Sequence, residues 1–245
     1  MSAVITPFEG TELFNTASFN NRISQINTGF SYISNPNLLD NWYFGNPVNQ
    51  RGQTSYSKAW IYTIDRWQVS QNTTLTVNNG SVSLNGGYWF EPLEEIVDAL
   101  RGRTVTISLL FASGELEFAT GVVPATWGGW NNIALSGHVV LKDIGADSKR
   151  LWFVVNDIAE NILAAKLELG PTQTLAHREG DRWVLNEIPD YGEQLRRCQR
   201  YFQTFATKSL RPTNALDFRP VMRAAPALST ITVGGKTLYT ASADL

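Results

Sequence analysis

The stretch TLTVNNGSVSL, residues 74–84, decides the fold class. Leu75 and Val77 alternate with threonines, Val82 and Leu84 alternate with serines, and an Asn-Asn-Gly turn separates the two runs. Strict alternation of apolar and polar residues is typical of a strand with one buried face, and Asn-Gly favours a tight turn. The stretch therefore predicts a β-hairpin that turns one face toward a hydrophobic core.

Further strands are predicted in three later segments of the chain. In residues 104–111, apolar side chains alternate with Thr and Ser, and residues 163–169 carry apolar side chains on one side of another strand. Residues 151–155 are apolar throughout, which fits a central strand of a two-layer sandwich. Short strands joined by turns at regular spacing indicate a mostly β chain with a β-sandwich of jelly-roll type.

A helix with a narrow apolar seam is predicted before the sandwich, in residues 13–34. The apolar residues of this segment are spaced by 4, 3, 4 and 3 positions, as in a coiled-coil heptad. Such a seam is buried by partner helices, so we expect self-association; one amphipathic helix lying on its own domain is the alternative. The predicted oligomerisation residues are Phe19, Ile23, Ile26, Phe30 and Ile33.

Two shorter helices are predicted later in the chain. Pro92 is expected to open the first and Gly102 to end it, with Glu94 and Glu95 on its solvated side. The second is expected to begin at residues 189–190 and to run to residue 197; a strand at residues 201–205 and a hairpin turn at residues 233–236 follow. Three units result: an N-terminal oligomerisation and attachment segment (1–36), the sandwich (37–170) and a small C-terminal α+β extension (171–245).

Composition argues against several functional classes. Lys and Arg together number 20 and Asp and Glu 22, so no charge field favours nucleic acid, and no run of about 18 apolar residues predicts membrane insertion. The two histidines, His138 and His177, lack metal-binding spacing, and Cys198 is interpreted as a small buried residue. No phosphate-binding, dinucleotide-binding or serine-hydrolase motif occurs, so no enzyme, cofactor or metal is predicted. Asp65 and Arg66 are expected to form a structural ion pair.

A loop at residues 125–132 has the composition of a sugar-binding site. Trp127 and Trp130 flank two glycines, and Asn131 and Asn132 follow. Flat aromatic faces stack on pyranose rings, and amides hydrogen-bond hydroxyl groups. The alternative is that both Trp residues plug the end of the sandwich core. Trp60 and Tyr62 are further carbohydrate-binding candidates, whereas the tryptophans expected in the core are Trp42, Trp67, Trp89 and Trp152.

Short motifs along the chain resemble those of bacteriophage and prophage tail-fibre-like proteins. The run from residue 37 to residue 44 looks like the start of the carbohydrate-binding-module-like sandwich found in such proteins. The motifs that carry the resemblance, in order, are NLLDNWYF (37–44), NQRG (49–52), YTIDRW (62–67), KLELG (166–170), EIPD (187–190), CQRYF (198–202) and RPVMRAAP (219–226).

This resemblance implies a homotrimeric virion appendage, a tail fibre or receptor-binding protein that attaches to a host-surface glycan. Its implied partners are other copies of itself, other virion proteins through the N-terminal segment, and host carbohydrate, and its implied location is the phage particle. A purely structural virion component, such as a baseplate part, connector or head-decorating fibre, is the alternative. A polysaccharide depolymerase is a third reading, for which the chain offers carboxylates by type only: Glu91, Glu94, Glu95, Glu115, Glu117, Asp143 and Asp147.

Overall fold

The computed structural model describes Asn20 and residues 34–145, 150–156, 158, 160–205 and 220–243. These residues are mostly β, as predicted. The predicted seam for self-association lies outside them, so it stays a prediction: Phe19, Ile23, Ile26, Phe30 and Ile33. No helix within the described ranges is long and apolar enough to cross a membrane.

Two six-stranded antiparallel sheets form the body of the molecule. Sheet I contains, in spatial order, β1 (Ser55–Tyr56), β4 (Thr74–Asn78), β5 (Ser81–Asn85), β12 (Ile162–Leu169), β7 (Thr104–Phe111) and β8 (Leu116–Val122). Sheet II contains β2 (Ile61–Tyr62), β3 (Gln68–Val69), β6 (Tyr88–Leu93), β11 (Leu151–Asn156), β10 (Val139–Asp143) and β9 (Asn131–Ser136). The quoted stretch forms the β4–β5 hairpin, which confirms that prediction.

One hydrophobic core lies between the two sheets. Leu75, Ile107 and Leu167 of sheet I and Trp89 and Phe153 of sheet II belong to the same buried cluster. A sheet that is apolar on one face must bury that face, and these two sheets bury theirs against each other.

Three aromatic side chains pack together in this core. The rings of Trp67 and Trp89 stack with centroids 4.2 Å apart, and the ring of Phe44 lies 4.8 Å from that of Trp89. Such pairs contribute about 0.5–1.5 kcal/mol beyond the burial of their area. Trp42 is also buried, so the core positions predicted for Trp42, Trp67 and Trp89 are confirmed.

Residues 171–186 cover part of the outer face of sheet I. Lys166 and Glu168 point away from the core and are nevertheless buried. The Lys166 ammonium donates to Oγ1 of Thr174 at 3.0 Å, and a Glu168 oxygen accepts from the Thr174 amide at 2.7 Å. A hairpin of β13 (Ala176–Glu179) and β14 (Arg182–Leu185) follows and packs partly against the core cluster.

The C-terminal part contains a helix and a small sheet. Helix α2 (Tyr191–Cys198) begins after Asp190, whose carboxylate accepts from the backbone N–H of Glu193, as expected of an N-cap residue. The predicted helix at 189–197 is thus confirmed. A three-stranded sheet follows in the order β15 (Phe202–Phe205), β17 (Lys236–Ser242) and β16 (Ala227–Val233), and it confirms the predicted strand and final hairpin turn.

The helix predicted from Pro92 is much shorter than expected. Pro92 belongs to β6, opposite Trp152, and helix α1 spans only Val97–Leu100. Strand β3 pairs with β6 only at Trp89 and Phe90, so a proline at position 92 interrupts no pairing with β3. Glu94 is not on a solvated face either, because its carboxylate oxygens are buried and pair with two guanidinium groups, those of Arg150 and Arg223.

The segment before β1 is held by buried amides. Asn41 is 2% exposed and has a left-handed backbone, with φ of 52°. Its Nδ2 donates to the carbonyls of Val48 and Asp65, both at 2.8 Å, and its Oδ1 accepts from the Val48 amide at 2.7 Å. The backbone N–H of Asn41 also donates to Oε1 of Gln194 in α2, at 2.8 Å. One asparagine therefore joins the sandwich to the C-terminal helix.

We expect Asn41→Ala to lower the free energy of unfolding by about 3 kcal/mol or more, because buried backbone groups lose their partners. Asn72→Ala is the matched control, since Asn72 is exposed and has a similar φ of 57°. That variant bears only the left-handed strain on alanine, about 1 kcal/mol. Urea unfolding measures both, and equal losses would contradict the role given to the Asn41 amide.

Candidate functional site

The outer face of sheet II is aromatic. Successive side chains of a strand point to opposite faces, so Trp89 in the core places Tyr88 and Phe90 on the outside of β6. In the same way, Phe153 in the core places Trp152 on the outside of β11. The rings of Phe90 and Trp152 stack with centroids 4.2 Å apart and planes inclined by 20°. The core position predicted for Trp152 is therefore wrong.

Two further tryptophans extend this row of rings toward both ends of the sheet. Trp60 lies directly before β2, and its ring is 6.0 Å from that of Tyr88 and 6.3 Å from that of Phe90. Trp130 lies directly before β9, and its ring meets that of Trp152 edge-on at 5.7 Å. We call these five residues, Trp60, Tyr88, Phe90, Trp152 and Trp130, the outer aromatic face.

The two terminal tryptophans are both exposed and both strained. Trp60 is 50% exposed and Trp130 is 63% exposed. Their φ angles are 57° and 52°, in the left-handed region that bulky residues rarely occupy. This conformation costs about 1–2 kcal/mol for each residue. Rings that stay half or more in solvent recover little of that cost by burial, and strain of this kind clusters at ligand sites.

Amide side chains accompany the rings on the same face. Residues directly opposite each other on neighbouring strands share a face. The register places Asn132 opposite Lys142, and Lys142 opposite Trp152. The same reasoning places Gln68 beside Phe90. The outer aromatic face therefore combines flat rings with groups that hydrogen-bond hydroxyls.

A buried carboxylate holds the loop that carries Trp130. Asp143 accepts from the backbone N–H of Gly128 at 3.0 Å, from that of Gly145 at 3.0 Å, and from the guanidinium of Arg101 at 3.1 Å. Burial would raise the pKa of Asp143, but the two backbone hydrogen bonds and Arg101 together lower it below its ordinary value. Asp143 is thus a structural anchor in this geometry, and it fixes the loop from within.

The structure separates the carbohydrate-binding candidates into two groups. Trp130 and Trp60 belong to the outer aromatic face, and Asn132 lies on the same side of sheet II. Trp127 does not, because it packs against the core and lies under Arg101, whose guanidinium carbon is 3.6 Å from its ring centroid. Asn131 pairs with Asp143, which is on the inner face of sheet II. Asn131 is therefore on the inner face, whereas Asn132 is on the outer face.

Tyr62 has a position of its own. It pairs with Gln68, so the register places it on the outer side of sheet II. Its ring centroid nevertheless lies 5.3 Å from the guanidinium carbon of Arg51. It also lines a cavity of about 210 Å³ against the C-terminal sheet, together with Phe202 and Ile231. Its contacts are therefore with the C-terminal part rather than with the rings of the outer aromatic face.

Sequence reasoning missed three members of the face, Tyr88, Phe90 and Trp152. Phe90 is 1% exposed because its neighbouring rings cover it, together with Val140 and Val154. A signal was present in residues 88–90, where three consecutive aromatic residues must place rings on both faces of a strand.

A second cluster of interest lies where the sandwich meets α2. Arg66 pairs with Asp40 at 3.3 Å and approaches Glu91 at 3.8 Å, which corrects the predicted pairing of Arg66 with Asp65. Asp65 pairs instead with Arg51 at 2.7 Å. Cys198 is buried nearby, as predicted.

Glu91 is the carboxyl of this cluster with the most perturbed acidity. Its Oε1 accepts from the Asp40 amide, and its Oε2 has no hydrogen-bond partner among the described residues. Burial raises the pKa of Glu91 well above its ordinary value, and the charge of Asp40 raises it further, whereas Arg66 opposes the rise. Glu91 lines a cavity together with Asp40 and Arg66. A buried carboxyl with a raised pKa beside a cavity is a candidate general acid.

The size of this cavity argues against a ligand site. Its volume is about 150 Å³, whereas pockets that enclose small molecules have roughly 300–1,000 Å³. Asp40 also pairs with a second guanidinium, that of Arg197 on α2, at 2.7 Å. We therefore assign this cluster to the attachment of α2 to the sandwich, and the outer aromatic face is the stronger candidate site.

No protein-family model, curated protein or solved structure matches this chain. The resemblance to phage tail-fibre-like proteins thus stays a prediction from the sequence.

The raised pKa of Glu91 predicts a dependence of stability on pH. The folded state holds this proton more tightly than the unfolded state, so the contribution of Glu91 to stability falls as the pH rises above the ordinary carboxyl pKa of 4.5. We expect Glu91→Gln, which keeps an oxygen to accept from the Asp40 amide, to reduce the loss of unfolding free energy between pH 5 and pH 8.

Urea unfolding at both pH values measures this effect. Glu115→Gln is the control, because Glu115 is exposed and has no ion pair among the described residues. An equal loss between the two pH values in wild type, Glu91→Gln and Glu115→Gln would contradict a raised pKa at Glu91.

Proposed function

We propose that this chain is a bacteriophage virion appendage, a tail fibre or receptor-binding protein, that attaches to a host-surface glycan through the outer aromatic face. The proposal includes a jelly-roll, carbohydrate-binding-module-like form of the sandwich. It also includes a homotrimer held together by the N-terminal segment. Its location is the phage particle, which is assembled in the cytoplasm of the bacterial host.

The observation that carries the proposal is the pair of exposed tryptophans in left-handed conformation at the two ends of a continuous row of rings. The successive centroid distances of 6.3, 4.2 and 5.7 Å from Trp60 through Phe90 and Trp152 to Trp130 limit the length of the row to about 16 Å. The face therefore suits a short oligosaccharide that stacks on two separated tryptophans.

The surroundings of the rings also support sugar binding. Asn132 and Gln68 offer amide donors and acceptors, which sugar hydroxyls require once water is displaced. The loop of Trp130 is fixed from inside by Asp143, so little conformational entropy is lost when a ligand orders the ring. Three copies on one particle multiply a weak single-site affinity.

A structural virion role is the alternative. Val221 is 80% exposed and Leu228 is 55% exposed, and both lie in the C-terminal part. Exposed apolar side chains of this kind suit contacts with neighbouring virion proteins. This role predicts that the protein binds no glycan. Cleavage of the glycan is not part of our proposal. Asp40 and Glu91, the buried carboxylates between the sandwich and α2, face a cavity that is too small for a polysaccharide.

We expect Trp60→Ala and Trp130→Ala each to weaken glycan binding about tenfold, because each removes one stacking surface. Phe118→Ala is the matched control, since Phe118 is an aromatic residue of β8 that is 48% exposed on the other sheet. A glycan array followed by titration calorimetry on the strongest ligand measures the effect. Equal affinities for all three variants would contradict this site.

Trp127→Ala should give the opposite pattern. This ring packs against the core and under Arg101. We expect its loss to lower the free energy of unfolding by about 2–3 kcal/mol, part of the cost of truncating a fully buried Trp, with a smaller effect on affinity than Trp130→Ala. Urea unfolding and calorimetry on both variants test this contrast. A folded Trp127→Ala protein that loses all binding would place Trp127 in the site.

A further inference from the structure

We infer that Lys142 makes the outer aromatic face selective for acidic glycans, that is, for oligosaccharides whose sugars carry a carboxylate. This inference rests on the proposed function and specifies the class of ligand. It follows from the position of Lys142, from the absence of a counter-ion and from the other side chains of the face.

The register places Lys142 within the row of rings. It lies on β10 directly opposite Trp152 of β11 on one side and Asn132 of β9 on the other. The ring of Trp130 reaches that of Trp152, which lies beyond β10, so the Lys142 side chain lies beside two rings of the face. A sugar stacked on Trp130 therefore lies within reach of a cation and an amide.

Lys142 differs from the other cations of the molecule. Among the described Lys and Arg residues that are not fully exposed, it alone has no carboxylate within ion-pair distance. All of the others have one: Arg51, Arg66, Arg101, Arg150, Lys166, Arg197, Arg200 and Arg223. The Lys142 side chain is half-buried, and it has no hydrogen bond or cation–π contact within the described ranges.

No carboxylate of the described residues neutralises the charge of Lys142. In other parts of this molecule a partly buried cation is paired with a carboxylate from the chain itself, as at Arg101 and Asp143. At Lys142 the described residues leave the position of the counter-ion without an acidic group. A ligand carboxylate that occupies this position forms a charge-assisted hydrogen bond, which is stronger than one between neutral groups.

The rest of the face does not repel an anion. Two rows of cross-strand pairs run over the outer side of sheet II. One runs from Tyr62 through Phe90 to Leu135, and the other runs from Pro92 through Trp152 to Asn132. Neither row contains Asp or Glu. The chain as a whole carries a net charge of −2, so general attraction of anions is absent. Selectivity for an acid must therefore come from this one local charge.

Single-stranded nucleic acid also combines stacking with negative charge, but it fits this face less well. Proteins that bind it use a positively charged groove that follows many phosphates. The two rows of this face contain one cation, Lys142, among ten residues. One carboxylate on an otherwise neutral sugar chain matches one lysine better than a row of phosphates does.

The experiment compares acidic oligosaccharides with their methyl esters, which keep the sugar and remove the charge. An array that contains both forms of uronate-bearing and sialylated glycans is probed with wild type, Lys142→Gln, Lys142→Arg and the remote control Lys236→Gln. Lys236 is exposed in the C-terminal sheet. Thermal unfolding of each variant establishes that it is folded.

We expect wild type and Lys236→Gln to prefer the acid over its ester about tenfold, Lys142→Gln to lose this preference, and Lys142→Arg to keep most of it. The preference should weaken at high salt. Equal binding of an acid and its neutral ester by wild type, or an acid preference that survives Lys142→Gln, would overturn the inference and leave glycan binding intact. Binding of no glycan, or of single-stranded DNA instead, would overturn the proposed function together with the inference.

Discussion

The alternation of side chains across sheet II is the constraint on which the rest of the structure depends. Trp89 and Phe153 are fixed in the core between the sheets, so Phe90 and Trp152 must face outward. At the centre of sheet I the outer face is polar instead, and Thr174 covers Lys166 and Glu168 there. Sheet II has aromatic residues on its outer face, and the described chain leaves the two terminal rings of that face half or more exposed.

Elements whose sequence signals lie within a short segment were predicted correctly. The hairpin at residues 74–84 and the helix capped by Asp190 were predicted correctly, because alternation and capping are encoded within about ten residues. Pro92 was misread as a helix start, since its place in β6 depends on where the distant strand β3 ends. The pairing of Arg66 with Asp40 spans 26 residues and could not be predicted from its neighbour in sequence, Asp65.

The candidate site was predicted in part for the same reason. Trp130 was a candidate because it lies beside glycines in a loop, Trp60 was a further candidate, and both are exposed. Trp152 was assigned to the core because an apolar run such as residues 151–155 shows no alternation when both faces of its sheet are apolar. Lys142 could not be recognised from the sequence. Its proposed role depends on the lack of a carboxylate partner among the described residues, and on Trp152 and Asn132, which strand pairing places beside it.

The most direct test of the central claim is a crystal structure of the protein bound to the oligosaccharide for which it has the highest affinity. Our account predicts sugar rings stacked on Trp60 and Trp130, with an acidic group near Lys142. A sugar bound in the cavity against the C-terminal sheet, or on the outer surface of sheet I, would contradict the account. Either of those positions would mean that the outer aromatic face serves another purpose, such as contact with a neighbouring virion protein.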